Sequence, residues 1–528
     1  MSSKLHQVAK VSAKGSFFLF FGNTFSAVIL AINSILIARL LGPQNYGSYV
    51  VAMIIPVLFV TLSDIGISPG LTKFSAQLYS QGKNKEVTGL IKSGLILKSL
   101  FSLFSALILL SFSDSLPNLL LGRQDVTTLI RYATFYLFGQ SIFVTLQALL
   151  IGLDNQKSCS LLVTIQAITQ IIFSPLLIIL GMESIGAVLG AGISLIVVII
   201  IGLTLVVWRI LPQIAKNKFD WRTDFTQNIR KLIVYGVPLF FASLMVTLFG
   251  QSQRIIMAQL VSDIEVGNYA IALNFSILVT LLAKPISDSI LPAFSKFNKK
   301  EDAESINKLF MLSVKYTSAL VIPLAIALSL LSQDVIFTLF GTQYQLAPNY
   351  LSLYSFSFLA VGLGLYIVSS FFNSQGDTRT TLKINVVKLI TVIPLAIILT
   401  IFYRIPGLVI SIIVAQFVAM AFASFMAHKN YSVTVDFRST IKIIVASLCS
   451  AFVVFLLFKL LYVQIPIFRL ILGGFLFIIA YLFFVPVFHV INKEDINNLE
   501  IILKESSILS PILKIILHLE KKLLPIRK

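Results

Sequence analysis

Fourteen apolar stretches, each long enough to cross a hydrocarbon core, recur from one end of this chain to the other. A crossing takes about 20 helical residues, each rising about 1.5 Å. The first seven stretches fall at about 16 to 38, 49 to 72, 89 to 112, 127 to 151, 160 to 181, 184 to 211 and 233 to 257. The others fall at about 268 to 294, 309 to 332, 346 to 373, 382 to 404, 406 to 428, 440 to 463 and 466 to 488. In lipid every backbone donor and acceptor has to be satisfied internally, which leaves helices or a closed barrel. Barrel strands would read as alternating segments of about ten residues, whereas these runs are continuous, so helices are expected. The fold class is therefore all-α integral membrane, with about fourteen transmembrane helices. Composition agrees: of 528 residues 57% are hydrophobic and 12% charged. A soluble domain carries about 25% charged residues, and disordered segments are poor in apolar ones.

The net charge of +19 is placed as a topology signal. If the N-terminus is cytoplasmic, about 30 of the 41 Lys and Arg fall in loops and tails on that side. Examples are Lys83, Lys85, Lys216, Lys218, Lys299 and Lys300, while the opposite side holds few, such as Arg123 and Arg404. By the positive-inside rule both termini are cytoplasmic and the chain is a multi-pass protein of the cell membrane, not a nucleic-acid binder. The first span lacks the short core and small-residue cleavage site of a signal peptide and is expected to stay as an anchor. Cys159 and Cys449 have no CxxC spacing and predict no disulfide.

Shifted by about 220 residues, the chain matches itself in collinear order. Ala38, Leu40, Gly47 and Tyr49 meet Ala258, Leu260, Gly267 and Tyr269, and Ser63, Asp64, Pro69 and Lys73 meet Ser287, Asp288, Pro292 and Lys296. Asp154 and Gly186 find counterparts in Asp377 and Gly407. The unit holds six helices, an even number, so its two copies lie the same way up, an arrangement found in secondary transporters. The expected organisation is an N-terminal six-helix lobe at 1–211, a cytoplasmic basic linker at 212–231 and a C-terminal six-helix lobe at 232–430. Helices thirteen and fourteen follow at 431–489, then a cytoplasmic tail at 490–528. The tail spaces Ile512, Ile515, Ile516, Leu519 and Leu523 along one face after Ser510, as an amphipathic helix on an anionic leaflet would.

The segment Ala38-Arg39-Leu40-Leu41-Gly42-Pro43 through Tyr46-Gly47, Arg254 late in the seventh span and Val266-Gly267-Asn268-Tyr269-Ala270 opening the eighth carry a family likeness. On them the chain resembles the polysaccharide and lipid-linked oligosaccharide flippases of the multidrug/oligosaccharidyl-lipid/polysaccharide (MOP) exporter superfamily, over about residues 10 to 490. The resemblance implies two six-helix lobes working by alternating access, with a central cavity lined by helices one, two, seven and eight. It also implies a cargo of saccharide linked through phosphate or pyrophosphate to a polyprenyl carrier.

A charge at a span centre costs about 2.5–3.5 kcal/mol on insertion scales, so the exceptions to apolarity are informative. Arg39, Asp64, Arg254, Lys284 and Asp288 fall on helices one, two, seven and eight. Arg39, Arg254 and Lys284 are the candidate cargo-phosphate ligands, because a guanidinium stays charged and donates two parallel hydrogen bonds. At helix ends the ordinary alternative is snorkelling to the interface. Asp64 lies nine residues before Lys73, about 14 Å from that helix end. Asp64 and Asp288 are candidates for coupling to Na⁺ or H⁺, or for interhelical pairing; Lys284 and Asp288 are four apart and share a helix face. Lys98, Lys315 and Lys388 sit within about two turns of basic ends and are expected to reach headgroups. Asn23, Asn33, Gln140, Gln147, Gln166 and Gln170 suit sugar hydroxyls, although amides also bridge helices. Pro56, Pro175, Pro238, Pro285, Pro323 and Pro394, with Gly66 and Gly236, are candidate bends.

The expected function is a flippase that moves a lipid-linked glycan from the cytoplasmic to the external leaflet, with membrane lipids and other glycan-assembly proteins as partners. A multidrug cation antiporter of the same superfamily should have more acids than bases in its cavity; here three bases face two acids. A membrane-embedded glycan ligase or polymerase would need acids, His or metal on large external loops. The four His are scattered at 6, 428, 489 and 518, so no catalytic residue, metal site or cofactor is expected. No P-loop is present to make ATP the direct driver.

Overall fold

The computed structural model describes residues 2–214, 221–294, 297, 302–461 and 464–491. All its regular structure is helical among these residues. The chain forms two compact units, Met1–Gly267 and Asn268–Lys528. The first contains α1 (Ser2–Ala52), α2 (Ile54–Leu62), α3 (Ile67–Ser80), α4 (Asn84–Ser111), α5 (Ser115–Leu121), α6 (Thr127–Gly152), α7 (Gln156–Leu177), α8 (Glu183–Thr204), α9 (Leu211–Ile214) and α10 (Trp221–Leu260). After α11 (Asp263–Asn274), the second contains α12 (Ser276–Phe294), α13 (Ala303–Leu330), α14 (Ser332–Leu339), α15 (Ala347–Ser355), α16 (Val368–Ser374), α17 (Thr378–Tyr431), α18 (Phe437–Leu461) and α19 (Pro466–Val487). The tail expected to be amphipathic lies outside the described residues.

Eleven helical stretches are long and apolar enough to cross a membrane. Three of them, Phe18–Leu62, Gln156–Trp208 and Thr378–Tyr431, run to 45, 53 and 54 residues, more than twice the length that one crossing needs, about 20. Each is folded at a residue outside the helical region: Gly42 (φ 72°, ψ 172°), Gly181 (φ 89°, ψ 9°) and Arg404 (φ 52°, ψ −134°). Around these points the chain doubles back on itself. Ser34 bonds Tyr46 at 3.0 Å, Gly190 lies against Ser174, and Gly407 against Leu399. The absence of a Cβ at Gly190 and Gly407 is what lets the two arms of each hairpin close up.

The expected second span, 49 to 72, is not continuous. It breaks between α2 and α3, where Ile65 (φ 43°) and Gly66 (φ 74°) are left-handed, so Asp64 sits in a break and not on an unbroken helix. The tenth span is interrupted too, by a 3₁₀ segment at Phe356–Leu363.

Each of the two serines paired in the sequence bonds a second serine within its own unit. Ser63 bonds Ser141 at 2.8 Å in the first, and its repeat mate Ser287 bonds Ser370 at 2.9 Å in the second. Apolar burial holds each unit. In the first, Leu146, Leu149, Leu162, Leu195 and Val198 join α6, α7 and α8, while Ile67, Leu71, Leu90 and Leu232 join α3, α4 and α10. In the second, Phe371 stacks edge-on against Phe294, Phe310 and Tyr431 at 5.1–5.3 Å. The pair outside the repeat, α18 and α19, packs on α13 through Ile322, Ile443, Val454 and Phe477.

Candidate functional site

Two polar features lie in the apolar interior of the first unit. One is an ion pair at the break between α2 and α3. Lys98 on α4 is 1% exposed and its Nζ lies 2.9 Å from Asp64 Oδ1. The same ammonium donates to Ser63 Oγ at 3.4 Å, and Ser68 donates to Asp64. Ser63 and Ser68 continue across to Ser141 and Thr145 of α6. This corrects the expectation for Lys98: its side chain turns inward to neutralise a carboxylate in low dielectric instead of reaching headgroups. α10 closes over the same break, with Gly66 and Gly236 in backbone contact and Thr61 3.2 Å from Thr247. The two glycines are adjacent because a Cβ on either would strike the other's backbone.

The other feature is a cavity of about 430 Å³. α1 lines it with Asn33, Ser34, Ile37, Tyr46 and Tyr49; α6 with Tyr136, Gln140, Phe143 and Gln147; α7 with Val163, Gln166 and Gln170. The α6 residues recur at steps of four, three and four, one face of a helix. Part of the lining is internally bonded: Gln166 donates to Gln170 at 2.7 Å, and Ser34 and Tyr46 share a hydrogen bond. The lining holds neither Asp, Glu, Lys nor Arg. Asn23, grouped with these amides in the sequence, is exposed and lies outside the lining.

Near the helix ends a third cluster gathers around Asp263. Arg123 donates to it, as does Ser48 at 2.7 Å, and Arg123 also holds Asp125 at 2.8 Å. Burial alone would lower the Arg123 guanidinium's affinity for its proton; its hydrogen bonds to Asp263 and Asp125 outweigh that and hold it above its ordinary range.

The other candidate site charges lie on three helices, α1 and α10 in the first unit and α12 in the second. Arg39 is exposed on α1, Arg254 exposed on α10 and Lys284 exposed on α12. Arg254 acts electrostatically on Tyr136, a wall of the cavity. Asp288 lies on α12, with its side chain outside the described residues. Lys315 is buried and acts on Asp436. Lys315 is thus drawn inward, contrary to the expectation, while Lys388 is half-buried. The two thiols are free, Cys159 buried and Cys449 half-buried.

The polysaccharide biosynthesis protein family model matches residues 12–298, more than half of the chain. The chain belongs to that family. It is thereby a member of the MOP exporter superfamily, and the MatE model matches residues 238–398. The capsular polysaccharide biosynthesis protein CapF of Staphylococcus aureus is 22% identical over 407 residues, 76% of this chain and 96% of that protein. Among solved structures, the lipid II flippase MurJ in an inward closed conformation superposes with a TM-score of 0.72 at 17% identity, covering 90% of this chain and 99% of MurJ. An inward-facing multidrug resistance MATE transporter of the MOP superfamily gives 0.64 at 14%, covering 77% and 94%. These likenesses place the fold of this family member, a multi-pass membrane transporter architecture.

Proposed function

We propose that this chain is a flippase that carries a polyprenyl phosphate- or pyrophosphate-linked oligosaccharide, or a polysaccharide repeat unit, from the cytoplasmic to the external leaflet by alternating access. The observation that carries this reading is the sign of the accessible charge. Asp64, one of the two candidate acids, is paired with Lys98, and the side chains of Arg39, Arg254 and Lys284 are exposed. A net cationic set suits an anionic head group, and Arg matches phosphate geometry. Outward movement of negative charge is favoured by an inside-negative potential, by about 2.3 kcal/mol per charge per 100 mV. Each of the three folded stretches then makes two passes, which gives fourteen in all, with both termini cytoplasmic in the cell membrane. The cargo crosses without chemical change, and Asp64 and Asp288 are the groups through which Na⁺ or H⁺ would couple.

The multidrug cation reading draws on the MATE likeness, but an organic cation needs buried counter-charge. The amide-lined cavity offers no carboxylate. Deleting the gene and extracting lipid-linked saccharides tests the proposal. Accumulation on the cytoplasmic face is expected, and export should return with the wild-type gene but not with Arg254→Ala. A deletion strain that shows no such accumulation overturns the flippase reading.

A further inference from the structure

The cavity between α1, α6 and α7 has a chemistry that the charge argument does not use. Five primary amides, Asn33, Gln140, Gln147, Gln166 and Gln170, face one space of about 430 Å³. An amide presents two donors and an acceptor with two lone pairs, and a hydroxyl is likewise both donor and acceptor. A set of amides therefore complements a polyol better than it complements a purely accepting phosphate or a purely donating ammonium. Two further facts point to a guest. Asn33 is 3% exposed, yet its Oδ1 has no hydrogen-bond partner among the described residues. A buried polar atom left so is destabilising, and a hydroxyl donor would satisfy it. The tyrosines Tyr46 and Tyr49, with ring centroids 6.0 Å apart, add apolar faces with polar tips, the wall that a sugar ring's C–H face and hydroxyl edge both require.

The lining also excludes. With no charged side chain in it, an ionic guest would lose its hydration without gaining a partner. Arg254 stands outside the lining while its charge reaches Tyr136 on the wall.

We propose that this cavity is a saccharide pocket: it takes one uncharged sugar ring of the cargo, read through its hydroxyls by the amides of α1, α6 and α7, and leaves the phosphate outside. The identity of the cargo rests on the flippase reading above; the pocket's preference for an uncharged polyol rests on its own lining.

The test uses the purified full-length protein in nanodiscs and saturation-transfer NMR. The probes are methyl α-D-glucopyranoside, methyl β-D-galactopyranoside and methyl N-acetyl-β-D-glucosaminide, with tetraphenylphosphonium as the cation probe. Transfer to at least one glycoside is expected, and Gln140→Leu combined with Gln166→Leu should weaken it about tenfold or more, the loss of two hydrogen bonds. A second variant guards against misfolding: Gln140→Cys should be alkylated by maleimide, more slowly when that glycoside is present. Transfer that survives undiminished in the double Leu variant, or alkylation indifferent to every glycoside, overturns the pocket. If no glycoside receives transfer while the deletion strain accumulates lipid-linked saccharide, the pocket fails and the flippase reading stands. If tetraphenylphosphonium binds in place of the glycosides and depends on Gln140, both fail.

Discussion

Asp114 and Asp334 each lie just beyond a long helix, α4 in the first unit and α13 in the second, yet they live in different surroundings. The Asp114 side chain is 73% exposed, and both its oxygens accept from one guanidinium nitrogen, Nη2 of Arg131 on α6, at 2.7 and 2.9 Å. Asp334 is 6% exposed, and its partner at 3.4 Å is Arg469, which belongs to α19. Arg469 also lies over the Phe458 ring at 5.0 Å, which ties α18 to the same point. Asp334 thus anchors the last two long helices, α18 and α19, to the rest of their unit. Burial, the larger influence, pushes the Asp334 carboxyl above its ordinary range, and Arg469 opposes this only in part.

The contrast predicts a graded series, headed by the ion pair that is buried most deeply. Lys98→Met should destabilise the protein by about 3–5 kcal/mol, because it strands Asp64; thermal unfolding in detergent would show it, and Lys98→Met with Asp64→Leu should recover much of the loss. Arg469→Ala comes next, at about 1–3 kcal/mol, since Asp334 is left without its partner. If the loss matched that of Arg131→Ala, the view of Asp334 as an anchor would fall.

Asp334→Asn should be neutral to stabilising at neutral pH. A carboxyl held above its unfolded value binds its proton more tightly when folded, so its contribution is greatest below the unfolded value of about 3.9 and is lost as pH rises through the folded value. Unfolding midpoints between pH 4 and 7 should therefore decline less steeply with rising pH in Asp334→Asn than in the wild type, and parallel curves would refute the assignment. Asp114→Asn should be smallest, within about 1 kcal/mol, as exposed pairs are; a larger shift would erase the difference between the two acids.

Much of this was legible from the chain. Apolar run lengths gave the helical membrane class, and Ser63 and Ser287, paired in the sequence, each bond a serine of a neighbouring helix, Ser141 and Ser370. The depth of Asp64 was legible, but its partner was not, because nothing in local spacing connects it to Lys98, 34 positions away. The break beside it was hidden too, since Ile65 is a β-branched residue that seldom takes positive φ. The amides were recognised singly, while their convergence depends on how α6 and α7 pack. The spacing of Tyr136, Gln140, Phe143 and Gln147 on one helix face was the signal that could have gathered them.

The reversals at Gly181 and Arg404 bear on how the protein is made. Each joins two apolar arms through a short turn, Gly181 to Glu183 in one and Arg404 in the other, so little polar chain separates the arms. If both arms cross the bilayer, the pair is expected to enter as a hairpin. Its direction would then follow the charges at its open end, where Lys157 and Arg209 flank one hairpin and Arg379, Lys383 and Lys429 flank the other.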